Sequence, residues 1–291
     1  MHVVTTLSPP TVSRSGRLAV HAVPMAKDNL GWLLVAGDEA AGIDGPEATS
    51  VLKACRELGV RLTTVLNTHT HPDHIGINRG LLERTPELVA LGAPDPSIPG
   101  ALTIVGPAAV AAQVPGLTQG VEGGQTITFA GHEGRVLTTE GHLAGHVSFV
   151  FEDLAFTGDS LFTGGCGYLF TGPPAAMHEG LARLAALPPE TWIFCAHEYT
   201  EDNLRFALSL EPGNLALRER VARVASVRRE GRATVPERLA VELDTNPFLR
   251  THAPELVASV ARALPDLPLT TALEIFTATR RLKDLKRYRE G

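Results

Sequence analysis

The sequence predicts an α+β protein with a strand-rich body followed by a smaller helical tail. Three observations predict it. Short β-branched and apolar runs that read as strands recur as far as Cys195. From Tyr199 onward helical segments take over and little strand pattern remains. The motif Thr68-His69-Thr70-His71-Pro72-Asp73-His74 follows directly on one of the strands. The change of pattern puts a boundary near residue 198, dividing the chain into a metal-binding catalytic unit, 1–198, and a helical unit, 199–291.

The elements follow in order. Residues 1–17 read as a loose lead-in with Pro9-Pro10. Leu18 to Val23, Gly31 to Ala36 and Ala41 to Asp44 read as short strands. Glu47 to Leu58 carries apolar residues at helical spacing (Val51, Leu52, Cys55, Leu58) and stops at Gly59. Leu62-Thr63-Thr64-Val65-Leu66 is a buried strand bounded by Asn67, and Ile75 to Glu83 a helix behind the motif. Residues 92–124, rich in Gly, Pro and Ala, show only a short helix at Ala108 to Val114. Ile127 to Phe129, Arg135 to Thr139, Val147 to Phe151, Leu154 to Thr157 and Trp192 to Cys195 read as strands, and Ala175 to Leu187 as a helix. In the tail, Leu215 to Arg229 and Thr271 to Lys286 are the clearest helices.

Composition narrows the class. The 291 residues are 44% hydrophobic, enough for a sizeable core. A net charge of −6 argues against general nucleic-acid binding. No apolar stretch has secretory or transmembrane length, and three cysteines without Cys-x-x-Cys spacing (Cys55, Cys166, Cys195) point to a reduced, cytoplasmic setting. No membrane partner is expected, and the expected assembly is a monomer or weak homo-oligomer.

The opening motif packs three imidazoles and a carboxylate into seven residues at the end of a buried strand. A strand end is a stiff support, which a metal site requires. Pro72 pre-shapes the turn. His69 and His71 share a face if the backbone stays extended, whereas Asp73 and His74 lie beyond the turn and face a second ion. A His-rich surface loop rarely follows a buried strand with this ligand density. The pattern strand, turn, ligand then recurs at His142, Asp159 and His197. Ligands at several strand ends along one edge converge in space. Asp159 has two oxygens and can bridge two ions. His146 sits close enough to act behind the ligands. His2, His21, His132, His178 and His252 lack such a setting and read as ordinary surface or core residues. Imidazole and carboxylate donors suit zinc first, with iron or manganese as alternatives.

These residues resemble the metallo-β-lactamase superfamily, whose fold is two β-sheets flanked by helices. The blocks Phe156 to Phe162, Gly165-Cys166-Gly167, Cys195 to Thr200, Glu211-Pro212-Gly213-Asn214, Thr234-Val235-Pro236 and Asn246-Pro247-Phe248 narrow the resemblance to glyoxalase II, also called hydroxyacylglutathione hydrolase. It runs from about Asp28 to Lys286. It implies an αββα sandwich with a helical C-terminal domain. One ion would sit on His69, His71 and His142 and the other on Asp73, His74 and His197, with Asp159 and a hydroxide bridging them. Asp73 and Asp159 are the carboxylates at the reaction centre. Tyr199, Arg280 and Lys283 would hold the glutathione of a small thioester substrate.

The chain departs from the family at Glu140 and Leu143 around His142, and more tellingly at Tyr168 and Phe170. There a Lys and a hydroxyl-bearing Tyr usually serve the thiol pocket. Cys166, in a Gly-Gly-Cys-Gly setting, reads as a tight turn rather than a nucleophile. A persulfide dioxygenase with one iron is the alternative on the same ligand set, but it would not need Asp73, His74 and His197 together. A nuclease of this fold would need an electropositive groove, and a non-catalytic relative would have lost ligands.

Overall fold

The computed structural model describes residues 3–289, so His2 lies outside the described residues. Among these residues a seven-stranded sheet runs in spatial order β1 (Thr11–Val12), β2 (Ala19–Met25), β3 (Asn29–Ala36), β4 (Glu39–Ile43), β5 (Arg61–Leu66), β6 (Thr103–Pro107) and β7 (Gln119–Val121). A second sheet has β8 (Thr126–Phe129), β9 (His132–Thr138), β10 (Val147–Phe151), β11 (Leu154–Gly158), then β14 (Trp192–Cys195) and β15 (Glu237–Arg238). Between β11 and β14 in sequence comes a hairpin of β12 (Leu161–Phe162) and β13 (Gly165–Cys166).

Strand alternation explains the layers. Leu30, Trp32 and Leu34 of β3 meet Phe149 and Phe151 of β10 and Phe194 of β14 in the core between the sheets. Leu33, one residue out of phase, turns to the other face, where it packs with Val51, Leu52 and Cys55 of α1 (Ala48–Leu58) and Ile77 and Leu81 of α2 (Gly76–Glu83). A short α3 (Pro86–Ala90) follows on that side. On the outer face of the second sheet, Val150 and Ile193 meet Met177 and Leu181 of α4 (Pro174–Ala185). The result is the expected helix–sheet–sheet–helix sandwich.

The tail adds α5 (Thr200–Leu210), α6 (Leu215–Arg229), α7 (Leu239–Thr245), α8 (Pro254–Ala263) and α9 (Ala272–Leu285). Leu204, Ala207, Leu217 and Val224 form a small core of its own, but most of its core is shared. Phe206, Phe248, Leu256 and Phe276 share one apolar cluster with Val150, Met177 and Ile193 of the sandwich. The tail also lends β15 to the second sheet, where Trp192 pairs with Arg238 and the Arg238 guanidinium lies 3.7 Å over the Trp192 ring.

Six strands are absent from the sequence reading: β1, β6, β7, β12, β13 and β15. β1 is a two-residue edge pairing in the lead-in, and β15 is equally short. β6 lies in the Gly, Pro and Ala-rich stretch as Thr-Ile-Val-Gly-Pro, a parallel strand buried beside β5 with no polar alternation to mark it. The segment after it is a 3₁₀-helix, Ala108–Gln113.

The β12–β13 hairpin is fastened by the tail. Asn246 Nδ2 donates to the carbonyls of Phe162 (3.2 Å) and Gly165 (3.0 Å), and Asn203 Nδ2 donates to Thr163 O at 3.1 Å. Glu242, fully buried, accepts from Gly164 N at 2.8 Å and pairs with the buried Arg220. Glu242→Ala leaves the Arg220 charge buried beside an emptied space and should destabilise the protein by about 3–5 kcal/mol. Urea unfolding of the variant measures this, and a loss below about 1 kcal/mol would mean that the clamp is not structural.

Candidate metal centre

The sheets bring the strand ends to one edge. β4 runs parallel to β5, and β11 runs parallel to β14, so their C-terminal ends deliver Asp44, the His69 loop, Asp159 and His197 to the same side. The two sheets are stitched there by backbone bonds from Leu30 N to Ala196 O (2.7 Å) and from Val147 N to Thr68 O (2.9 Å). Close approach at the crossing needs glycine. A Cβ on Gly158 would fall 2.2 Å from Thr68 Oγ1, and one on Gly167 would fall 2.0 Å from Asp159 O.

Two ligand groups form around Asp159. His69, His71, His142 and Asp159 make one, and Asp73, His74 and His197 make another; within each, the ligand atoms lie within 4.8 Å of one another. His71 Nδ1 stands 3.1 Å from His69 Nε2 and 3.0 Å from His142 Nε2. Asp159 divides its oxygens between the groups. Oδ2 lies 3.4 Å from His142 Nε2, and Oδ1 lies 3.5 Å from both His74 Nε2 and His197 Nε2. Asp73 Oδ2 completes the second group, 3.5 Å from His197 Nε2 and 3.7 Å from His74 Nε2.

The far side of each ring decides which nitrogen holds the proton. Tyr168 O, an acceptor only, is 2.8 Å from His142 Nδ1. Asp44 Oδ2 is 3.0 Å from His74 Nδ1, and Asp28 Oδ1 is 3.1 Å from His197 Nδ1. Thr68 Oγ1 donates to Asp44 Oδ2 at 2.7 Å, so at 3.0 Å it is left to accept from His69 Nδ1. The His69, His142 and His197 rings therefore carry Nδ1–H, and the Asp44 carboxylate favours the same tautomer for His74, whose Nδ1 makes an ion-pair contact rather than a hydrogen bond, so that each turns an Nε2 lone pair inward when neutral. Lone pairs and carboxylate oxygens facing one another call for a cation. His74 Nε2 and Asp159 Oδ1 are buried without any hydrogen-bond partner, which is what divalent ions would relieve. A divalent metal therefore fits these residues.

Electrostatics agree. Burial, then neighbouring His74 and His146, holds His69 well below its ordinary value, and burial likewise lowers His71 and His142, so these rings are neutral donors. Burial also opposes charge on His74 and His197. There it is outweighed by Asp159 and Asp44 beside His74, and by Asp159 and Asp28 beside His197, which rises to about 10. A metal ion supplies the same positive charge to those carboxylates.

The other sequence candidates fall into place around this centre. His146 Nε2 accepts the Asp159 N–H at 3.2 Å, and its ring stacks on His69. The Tyr199 ring stacks flat on His197 with centroids 4.8 Å apart, and its hydroxyl donates to Asp28. Arg280, Lys283 and Tyr168 line a cavity of about 480 Å³ together with Tyr199 and Phe162. Phe170 sits elsewhere, edge-on to His71 and His142 at 5.2 Å. Burial pushes the Cys166 thiol up to about 11, which disfavours a thiolate nucleophile. His21, His132, His178 and His252 belong to none of the ligand groups among the described residues.

Sequence reasoning missed the residues behind the ligands. Asp44 repeats the strand-then-acid signal of Asp159 and takes a left-handed φ of 50°, so its Asp-Gly end was a readable cue. Asp28 and Asn29, whose Nδ2 donates to Asp73 at 2.9 Å, sit in an ordinary turn and gave no cue. Asp44→Ala removes the acceptor for His74 and frees the Thr68 hydroxyl. It should weaken metal affinity about 10- to 100-fold. Competition with a coloured chelator reads this directly, and unchanged affinity would show that Asp44 does not support the centre.

The relatives agree with this geometry. Residues 36–197 match the metallo-beta-lactamase superfamily, and residues 198–285 match the hydroxyacylglutathione hydrolase C-terminus. The hydroxyacylglutathione hydrolase of Methylococcus capsulatus is 43% identical over 274 residues, covering 93% of this chain and 99% of that protein. That of a Synechococcus species is 41% identical over 259 residues, covering 85% and 95%. Among solved structures, ETHE1 from Myxococcus xanthus shares the fold with a TM-score of 0.55 at 22% identity, covering 96% of this chain and 100% of that one. With both matched segments in their expected order, the chain belongs to the hydroxyacylglutathione hydrolase family of the metallo-beta-lactamase superfamily.

Proposed function

We propose that this protein hydrolyses S-(2-hydroxyacyl)glutathione, of the lactoylglutathione type, to a hydroxy acid and a free thiol, using two divalent metal ions. The observation that carries the reading is the set of four fixed imidazoles whose Nε2 lone pairs face inward around Asp159. The names borne by relatives at 37–43% identity support the substrate. His69, His71, His142 and Asp159 Oδ2 would hold one ion. Asp73, His74, His197 and Asp159 Oδ1 would hold the other. Zinc is the ion we favour for this donor set. The complete second group argues against a one-iron oxidoreductase.

Bound ions of this kind lower the pKa of water and polarise a carbonyl. The chain supplies the rest. Asp159, held by its N–H on His146, and Asp73, held by Asn29, would help to hold the ions that activate the attacking water, whose proton passes to solvent. The new C–O bond forms at the thioester carbon, and the C–S bond breaks with its electron pair leaving on sulfur. A thiol has a pKa of roughly 8.5, so the thiolate departs without a strong general acid. Tyr199 and Phe162 wall the cavity beside His197, and Arg280 and Lys283 lie further along the same cavity for the anionic end of the thiol. On this reading residues 1–198 carry the chemistry, and the tail from 199 carries the thiol contacts.

No helix among the described residues is long and apolar enough to cross a membrane. The metal-loaded protein should release thiol from S-lactoylglutathione, as followed with a thiol reagent. Asp159→Ala should lose at least one ion per chain by elemental analysis, together with most of the turnover. Full occupancy with near-normal turnover in that variant would refute the bridging role.

A second expectation concerns pH. Burial pushes the Lys283 ammonium down to about 8 against the pull of Asp202. Its charge is present below that value and is lost as pH rises through it. KM for a carboxylate-bearing thioester should climb about fivefold between pH 8 and pH 9. KM for a thioester without a carboxylate should stay flat. Two flat profiles would remove Lys283 from the binding site.

A further inference from the structure

Asp202, on the first turn of α5, projects into the cationic end of the same cavity. Its Oδ2 accepts from Lys283 Nζ at 2.9 Å and from Tyr288 OH at 2.8 Å, and it lies 2.9 Å from Arg289 Nη2. Its Oδ1 accepts from Arg289 Nε at 2.9 Å. The pairing is geometrically complete, with two cations and a phenol closing on one carboxylate. Arg280 is engaged as well, with Asp284 at 2.6 Å and with Cys166 O at 3.1 Å.

We propose that Asp202 is a built-in carboxylate that occupies the anion end of the thiol cavity and thereby sets thiol selectivity. The proposal rests on the thioesterase reading above. A substrate carboxylate reaching Lys283 and Arg289 meets two cations whose charge Asp202 already offsets in part, and it must displace Asp202 or settle beside it against like-charge repulsion. The cavity therefore gains less from an anionic thiol such as glutathione than the same cations would give without Asp202. Tyr168, 51% exposed at the rim, supplies no cation to compensate.

The test compares S-lactoylglutathione with S-lactoyl-N-acetylcysteamine, which has no carboxylate, on the metal-loaded full chain. The unsubstituted protein should prefer the glutathione thioester by less than about tenfold in kcat/KM. Asp202→Asn keeps the side-chain shape and an acceptor oxygen while removing the charge. It should raise that preference at least about tenfold, through KM for the glutathione thioester. A preference that stays the same or falls in Asp202→Asn overturns the proposal, as does a strong preference in the unsubstituted protein. Should the asparagine variant not fold, Asp202→Ser carries the same comparison. If the unsubstituted protein cleaves neither thioester, the thioesterase reading fails. Calorimetric binding of S-methylglutathione then decides on Asp202 alone: tighter binding by Asp202→Asn by about tenfold supports the proposal, and equal or weaker binding overturns it.

Discussion

A buried carboxylate shared by two groups of imidazoles is the constraint on which the remaining structure turns. Asp159 is only 6% exposed, and burial alone would push its carboxyl up. His197 and His74 more than offset that, and hold it well below the usual carboxylate range. The charge is tolerable only if the partners stay where they are, since a buried charge that loses its partner is costly. The surroundings meet that demand. Asp159 follows β11, which is flanked by β10 and β14, and its backbone N–H is fixed by His146. Glycine 158 lets the two sheets close on one another at that point.

The second feature is the division of labour around four of the imidazoles, those of His69, His74, His142 and His197. One nitrogen faces the centre and the other is tied to an oxygen of the surrounding shell. Those oxygens come from distant stretches: Asp28 before β3, Asp44 after β4, and the Tyr168 carbonyl after the β12–β13 hairpin. The centre is thus a meeting place of the whole chain, and its ring orientations are set before any ion arrives.

Much of this was legible in the sequence, and the parts that were not share a cause. The first sphere of donors was readable because His and Asp at strand ends are conspicuous: His69 to His74 stand in one run, and Asp159 and His197 each end an apolar stretch. The oxygens behind them were not, because an Asp in a turn such as Lys27-Asp28-Asn29 looks the same whether it meets solvent or an imidazole. The same holds for Asp202, which in sequence is one acid of a Thr-Glu-Asp helix start. Strand β6 escaped because a buried parallel strand lacks polar alternation, and β7 because a three-residue edge strand, Gln-Gly-Val, carries too little pattern. The helical character of the tail was plain, but the core it shares with the sandwich was not, since periodicity does not say which neighbour an apolar face meets.

The hairpin β12–β13 links these levels. Its residues 161–167 leave Asp159 and lead to Tyr168, whose carbonyl orients His142, yet Asn203, Glu242 and Asn246 from the tail hold it in shape. The natural seam of the molecule therefore does not follow the chain boundary near residue 198. For any exchange of segments, the tail and this hairpin form one mechanical unit. A recombination that exchanged the tail alone would separate Asn246 from the carbonyls it was selected to meet. Only an exchange that carried the hairpin along would deliver an intact His142.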